Sequence, residues 1–125
     1  MRDGKHVILC IDDDADLLFS LKVVLEANGY AVSSAMNAKD AIEAYKKDPP
    51  DVLIVDLMME EIDSGMRVVQ DLHRLGNSAP LYVLSSSGDY LHGITDLSEL
   101  GVTGIFQKPI SPDFLLSLLR TKLKG

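Results

Sequence analysis

The sequence predicts an α/β fold, a doubly wound parallel sheet of five strands in the order 2-1-3-4-5 with five helices. Three observations carry this. Val7 to Ile11, Val52 to Val55 and Leu81 to Leu84 are short unbroken apolar runs, the pattern of strands buried on both faces. The segments between the runs space their apolar residues as one face of a helix does. Two further strand candidates are poorer, and the 2-1-3-4-5 order leaves just those two, the second and the fifth, at the edges.

In chain order, Val7 to Ile11 is followed by three aspartates and then by Leu17, Leu21, Val24 and Leu25 at helical spacing, with Asp14 as the N-cap and Gly29 at the C-cap. Tyr30 to Ala35 carries Ser33 and Ser34, which suits an edge strand. Ala38, Ala41, Ile42 and Tyr45 mark the second helix. Val52 to Val55 ends in Asp56, and Val68, Val69, Leu72 and Leu75 mark the third helix, closed by Gly76. After Leu81 to Leu84 comes a weaker fourth helical pattern, Leu91, Ile94, Leu97 and Leu100, closed by Gly101. Thr103 to Gln107 is a short strand containing Gly104. Ser111-Pro112 is an N-cap with proline at the first helical position, opening a last helix through Leu115, Leu118, Leu119 and Leu123.

A chain of 125 residues has room for one domain, since single cores form at about 100–150 residues. A formal charge of −7 disfavours nucleic acid and anionic membranes as direct ligands, because phosphate backbones are gripped by clustered Lys and Arg. With Cys10 as the lone cysteine, neither a disulfide framework nor a thiolate zinc site can be assembled within the chain, which suits a reducing cytoplasm. The first apolar run is five residues long, far short of a signal-peptide core or a membrane span. Cys10 itself reads as a small buried hydrophobe, and His6, His73 and His92 share no ligand spacing.

In a doubly wound sheet the ligand crevice opens at the carboxyl ends of the strands, at the switch point between the first and the third. Asp12, Asp13 and Asp14 end the first strand and Asp56 ends the third, so two strand tips about 5 Å apart aim carboxylates at one spot. Such crowding calls for a cation. Hard oxygen donors on rigid strand ends favour Mg²⁺, which also recruits phosphate oxygens. Asp12, Asp14 and Asp16 have the alternation of a calcium loop, but Leu17 stands where that loop needs glycine and Val23 where it needs glutamate. Ser85 closes the fourth strand and Lys108 the fifth on the same rim. A lysine there can neutralise a phosphoryl group, and a serine hydroxyl can hydrogen-bond to it.

The stretches ILCIDDD, DVLIVDLMMEEIDSG, PLYVLSSSGD and GVTGIFQKPIS together resemble the receiver domain of bacterial response regulators, the CheY-like class, over nearly the whole chain. The resemblance implies one receiver domain over residues 1–125. Asp56 would take a phosphoryl group from a histidine kinase or phosphotransfer protein, in autocatalysis rather than turnover. Mg²⁺ would be bound by Asp13, Asp56 and the Met58 backbone carbonyl, with Asp12 assisting through water. Ser85 and Lys108 would sense the phosphoryl group, and Met58 and Ser87 would flank it. A cis Lys108-Pro109 bond is implied, as is a partner-binding face including Tyr90, Leu91 and Ile105, while the effector is not specified.

The chain departs from the family at Glu60, where the loop usually has proline, and at Ser64, where it has glycine, with Gly65 one place late. Glu60-Glu61 reads as solvated loop charge. Ile105 occupies the place of the usual switching aromatic; the neighbouring Phe106 could be shifted into that role or fill the core, and strand alternation, which turns it to the opposite face from Ile105, favours the core. Two rival functions stand beside this reading. A haloacid-dehalogenase-like phosphatase would use Asp12 as nucleophile, but it wants D-x-D-x-Thr/Val where residues 12 to 16 give D-D-D-A-D. A receiver-like docking module would work without phosphorylation.

Overall fold

The computed structural model describes residues 4–56, 64–85, 101–108 and 110–123, with the backbone alone for 64–66. Within them the chain runs β1 (Val7–Ile11), α1 (Ala15–Ala27), β2 (Ala31–Ala35), α2 (Ala38–Lys47), β3 (Val52–Asp56), α3 (Ser64–Arg74), β4 (Leu81–Ser85), β5 (Val102–Gln107) and α4 (Pro112–Lys122). All strand pairs are parallel and the sheet order is β2-β1-β3-β4-β5, as the sequence predicts. Every residue of β1, β3 and β4 is buried, whereas β2 and β5 carry exposed positions. Strand hydrophobicity thus tracks place in the sheet. The pattern at Leu91 to Leu100 lies outside the described residues, so four of the five expected helices are in view.

Because strand side chains alternate, the sheet separates two cores. Ile8, Cys10, Ile54 and Leu84 face α1 and α4, with Leu21, Leu25, Leu115 and Leu119. Leu9, Ile11, Leu53, Val55 and Val83 face the other way, toward Ala41 of α2 and Val68, Val69 and Leu72 of α3. Each fully buried Leu or Ile contributes roughly 1.5–3 kcal/mol, so truncating Leu25 or Leu72 would open the layer it fills. Cys10 is buried, and burial first, then the charge of Asp12, pushes its thiol up to about 12, which keeps it an inert hydrophobe.

The helix ends follow the sequence. Asp14 caps α1, its Oδ1 accepting the Asp16 and Leu17 N–H groups at 3.0 and 3.2 Å. Gly29 has φ 90° and its N–H reaches the Glu26 carbonyl, while the Tyr30 N–H reaches that of Leu25, the two-bond pattern that closes a helix through a left-handed residue. Gly76, φ 82°, closes α3 in the same way. Ser111 caps α4 ahead of Pro112.

The buried stripes differ in detail from those expected. Leu18 rather than Leu17 is central in α1, and Leu116 joins Leu115 and Leu119 in α4. Leu75, expected in the third helix's apolar face, is 45% exposed, because α3 ends at Arg74 and the chain turns at Gly76. Ser64 takes the first position of α3.

Candidate functional site

β1 and β3 run in register with Ile11 beside Val55, so one residue further on Asp12 and Asp56 meet at the carboxyl edge of the sheet. Asp12 prolongs the ladder on its other side, its N–H donating to the Ala35 carbonyl at 3.1 Å. Both aspartates are only 1% exposed. Alternation fixes which face they take. Cys10, Ile54 and Phe106 belong to the core beneath α1 and α4, and Asp12, Asp56 and Lys108 stand two residues beyond them, on the same side.

Asp12, Asp13 and Asp56 each offer a carboxylate oxygen, and these oxygens all lie within 4.8 Å of one another. Lys108 Nζ lies 3.1 Å from Asp56 Oδ2 and 3.3 Å from Asp12 Oδ2, so one ammonium bridges two buried carboxylates. Three carboxylates against one ammonium leave an excess of negative charge. The Asp12 carboxyl is pushed up to about 6, by burial above all. The Asp14 N–H on its Oδ1, at 3.0 Å, works against the rise, Asp56 adds to it, and Lys108 opposes it weakly. Burial alone would lower Lys108, but its hydrogen bond to Asp56 and the charges of Asp12 and Asp56 outweigh that and raise it. Lys108 is therefore a fixed cation across the physiological range.

Asp12 Oδ2 is buried with no hydrogen-bond partner among the described residues; the Lys108 ammonium lies 3.3 Å away, and the Asp56 carboxylate crowds the same group. An orphaned buried oxygen among crowded carboxylates fits a small hard divalent ion, which would supply the missing positive charge.

Ser85 closes β4, is 2% exposed, and through its carbonyl accepts the Lys108 N–H at 2.9 Å, tying the last two strand tips together. Of the expected site residues, Asp12, Asp13, Asp56 and Lys108 are thus in one cluster, with Ser85 bonded to it through the backbone. Met58, Glu60, Glu61, Ser87, Tyr90, Leu91 and the Lys108-Pro109 bond lie outside the described residues.

One positioning feature was missed in the sequence. Leu81 pairs with Val102 but Tyr82 with Gly104, so Thr103 is an extra residue in β5, and its Oγ1 accepts the Leu81 N–H at 3.2 Å. Val102 and Phe106 are four apart, which plain alternation would put on one face, yet they belong to opposite cores. The bulge reverses the strand's facing and so turns Lys108 toward the aspartates. Gly104 was the available signal, since an isolated glycine within a strand often marks a bulge.

The model of the response regulator receiver domain matches residues 8–120. The chain belongs to this family. The receiver domain is 36% identical over 120 residues to "Probable transcriptional regulator ycf27" of Porphyridium aerugineum, covering 96% of this chain and 49% of that protein. To the response regulator MprA of Mycobacterium leprae (strain TN) it is 32% identical over 117 residues, 94% of this chain and 50% of the relative. The chain spans about half the length of these curated relatives. In fold it is similar to the CheY-like receiver domain protein from Methanospirillum hungatei JF-1, with TM-score 0.85 and 23% identity over 96% of this chain and 94% of that one. As a receiver domain of a two-component response regulator it is not a turnover enzyme, which removes the phosphatase alternative.

Proposed function

We propose that residues 1–125 form one phosphorylation-driven switch in which Asp56 is the phosphoacceptor and a histidine kinase or phosphotransfer protein the donor. The observation that carries the reading is the Lys108 ammonium between the buried carboxylates of Asp56 and Asp12, at 3.1 and 3.3 Å. A carboxylate oxygen of Asp56 forms the new bond to phosphorus as the donor's P–N bond breaks and its imidazole leaves with the electron pair. Lys108 offsets the charge brought by the phosphoryl group, and the Ser85 hydroxyl donates to one of its oxygens. Mg²⁺, held by Asp13, Asp56 and the Met58 backbone carbonyl with Asp12 assisting through water, would neutralise charge on the transferring group. The orphaned Asp12 Oδ2 and the three-carboxylate cluster support that assignment.

The switched face takes an effector domain or protein, in keeping with relatives that are named as transcriptional regulators and run to about twice this length. With a net charge of −7, direct binding to nucleic acid or an anionic membrane is not part of the proposal. Among the described residues no helix is long and apolar enough to cross a membrane, and we assign the cytoplasm as the working compartment.

The test is incubation with Mg²⁺ and acetyl phosphate, followed by mass spectrometry of hydroxylamine-labile adducts. An adduct on Asp56 that is lost in Asp56→Asn, with the variant still folded by circular dichroism, supports the proposal. An adduct on Asp12 instead, or no adduct and no Mg²⁺ binding, refutes it, the second outcome leaving a docking module that works without phosphorylation.

A further inference from the structure

One pleat below Lys108, on the same face of β5, the Phe106 ring lies between two other aromatic rings. It stacks on Tyr82 of β4, centroids 5.2 Å apart and planes 21° apart. On its other side it meets Phe114 of α4 edge-on, at 5.5 Å and 79°. Phe106 and Tyr82 are buried, whereas Phe114 is 58% exposed in the first turn of α4. The three rings therefore run from Tyr82 in the buried sheet, through Phe106 beneath the acidic cluster, to the surface at Phe114.

Two details show that the column is fitted rather than incidental. A Cβ on Gly104 would stand 3.1 Å from Tyr82 Cδ1 and Cε1, so the ring lies against β5 backbone that only glycine leaves bare. The Tyr82 hydroxyl is buried without a hydrogen-bond partner among the described residues, so within them the ring is placed by its packing against Phe106 and the β5 backbone. Meanwhile Ile105, at the place where the family resemblance expects a switching aromatic, is aliphatic and 47% exposed.

We propose that the Tyr82–Phe106–Phe114 column, rather than position 105, carries the change at Lys108 to the start of α4. Lys108 is fixed by its side chain to Asp56 and Asp12 and by its N–H to the Ser85 carbonyl. A phosphoryl group on Asp56 would give the ammonium a new partner and displace the end of β5. Close-packed rings pass on such a displacement as a change between discrete packings, not as a gradual strain. The reading rests on phosphorylation of Asp56 as proposed above.

The chain has three phenylalanines and four tyrosines, few enough for ring-¹³C labelling to give separate NMR signals, assigned by substitution. Loading the full chain with Mg²⁺ and acetyl phosphate should shift the Tyr82, Phe106 and Phe114 signals together. In Phe106→Leu, Asp56 should still form its adduct while the Phe114 shift is lost. Should that variant fail to fold, Phe114→Leu, altered at the exposed end, should keep the shifts of Tyr82 and Phe106. An adduct on Asp56 with silent rings overturns this proposal alone, as does a Phe114 response that survives Phe106→Leu. No adduct in the wild type overturns the phosphoacceptor reading and this one with it.

Discussion

Replacing Asp12 by asparagine should make the metal-free domain more stable while impairing its response to Mg²⁺. Asp12 is 1% exposed, and its carboxyl is pushed from 3.8 to about 6, chiefly by burial and then by Asp56, against the Asp14 N–H and Lys108. At 1.36 kcal/mol per pKa unit this corresponds to about 3 kcal/mol at most. The carboxyl holds its proton more tightly folded than unfolded, so its contribution is fully favourable below pH ~4 and is lost as pH rises through about 6. Near neutrality the wild type carries the whole ionisation cost. Asparagine carries none, and keeps an oxygen for the Asp14 N–H.

Urea unfolding in EDTA should then show Asp12→Asn more stable than wild type by about 2–3 kcal/mol at pH 7.5, with the difference nearly gone near pH 4. Added Mg²⁺ should narrow or reverse the gap, since an ion that binds only the folded state stabilises it by mass action. A variant less stable than wild type at pH 7.5 in EDTA, or a gap independent of pH, would refute the electrostatic account.

Asp13→Ala should weaken Mg²⁺ binding, read by titration calorimetry, and an unchanged affinity would remove Asp13 from the ligand set. Gly104→Ala should cost roughly 1–3 kcal/mol in urea unfolding, because the added methyl meets the Tyr82 ring at 3.1 Å. A neutral result would mean that the ring yields without cost. Asp14→Ala should cost about 1 kcal/mol by removing the cap on the Asp16 and Leu17 N–H groups, with Mg²⁺ affinity unaltered.

Most of this architecture was legible in the sequence because it depends on local rules. Apolar runs marked the three central strands, glycines marked the helix ends, and Asp12, Asp13, Asp56 and Lys108 could be brought together once the strand order was known. The opposite facing of Phe106 and Ile105 was also readable from local alternation, although the layer that Phe106 enters is set by the bulge at Thr103. Tertiary context decided what escaped. Helical spacing alone did not separate Leu17 from Leu18 or add Leu116 to the stripe, since the partner surface chooses the centre of a wide apolar face. Leu75 fitted the period of α3 but fell beyond its end. The double engagement of Lys108 and the backbone bond between Lys108 and Ser85 depend on a shifted register that no spacing displayed.

That register shift lets β5 carry one residue more than its partner strand without losing phase. From Leu81 to Leu84 β4 spends four residues where β5, from Val102 to Phe106, spends five, and the surplus is absorbed at Thr103. Deleting Thr103 would therefore leave an even ladder with Phe106 and Lys108 on the side they already occupy. A residue lost between Gly104 and Lys108 has no such slack, and would turn Lys108 away from Asp12 and Asp56 toward the layer of α2 and α3. The same strand thus forgives a lost codon at one end and is ruined by one at the other.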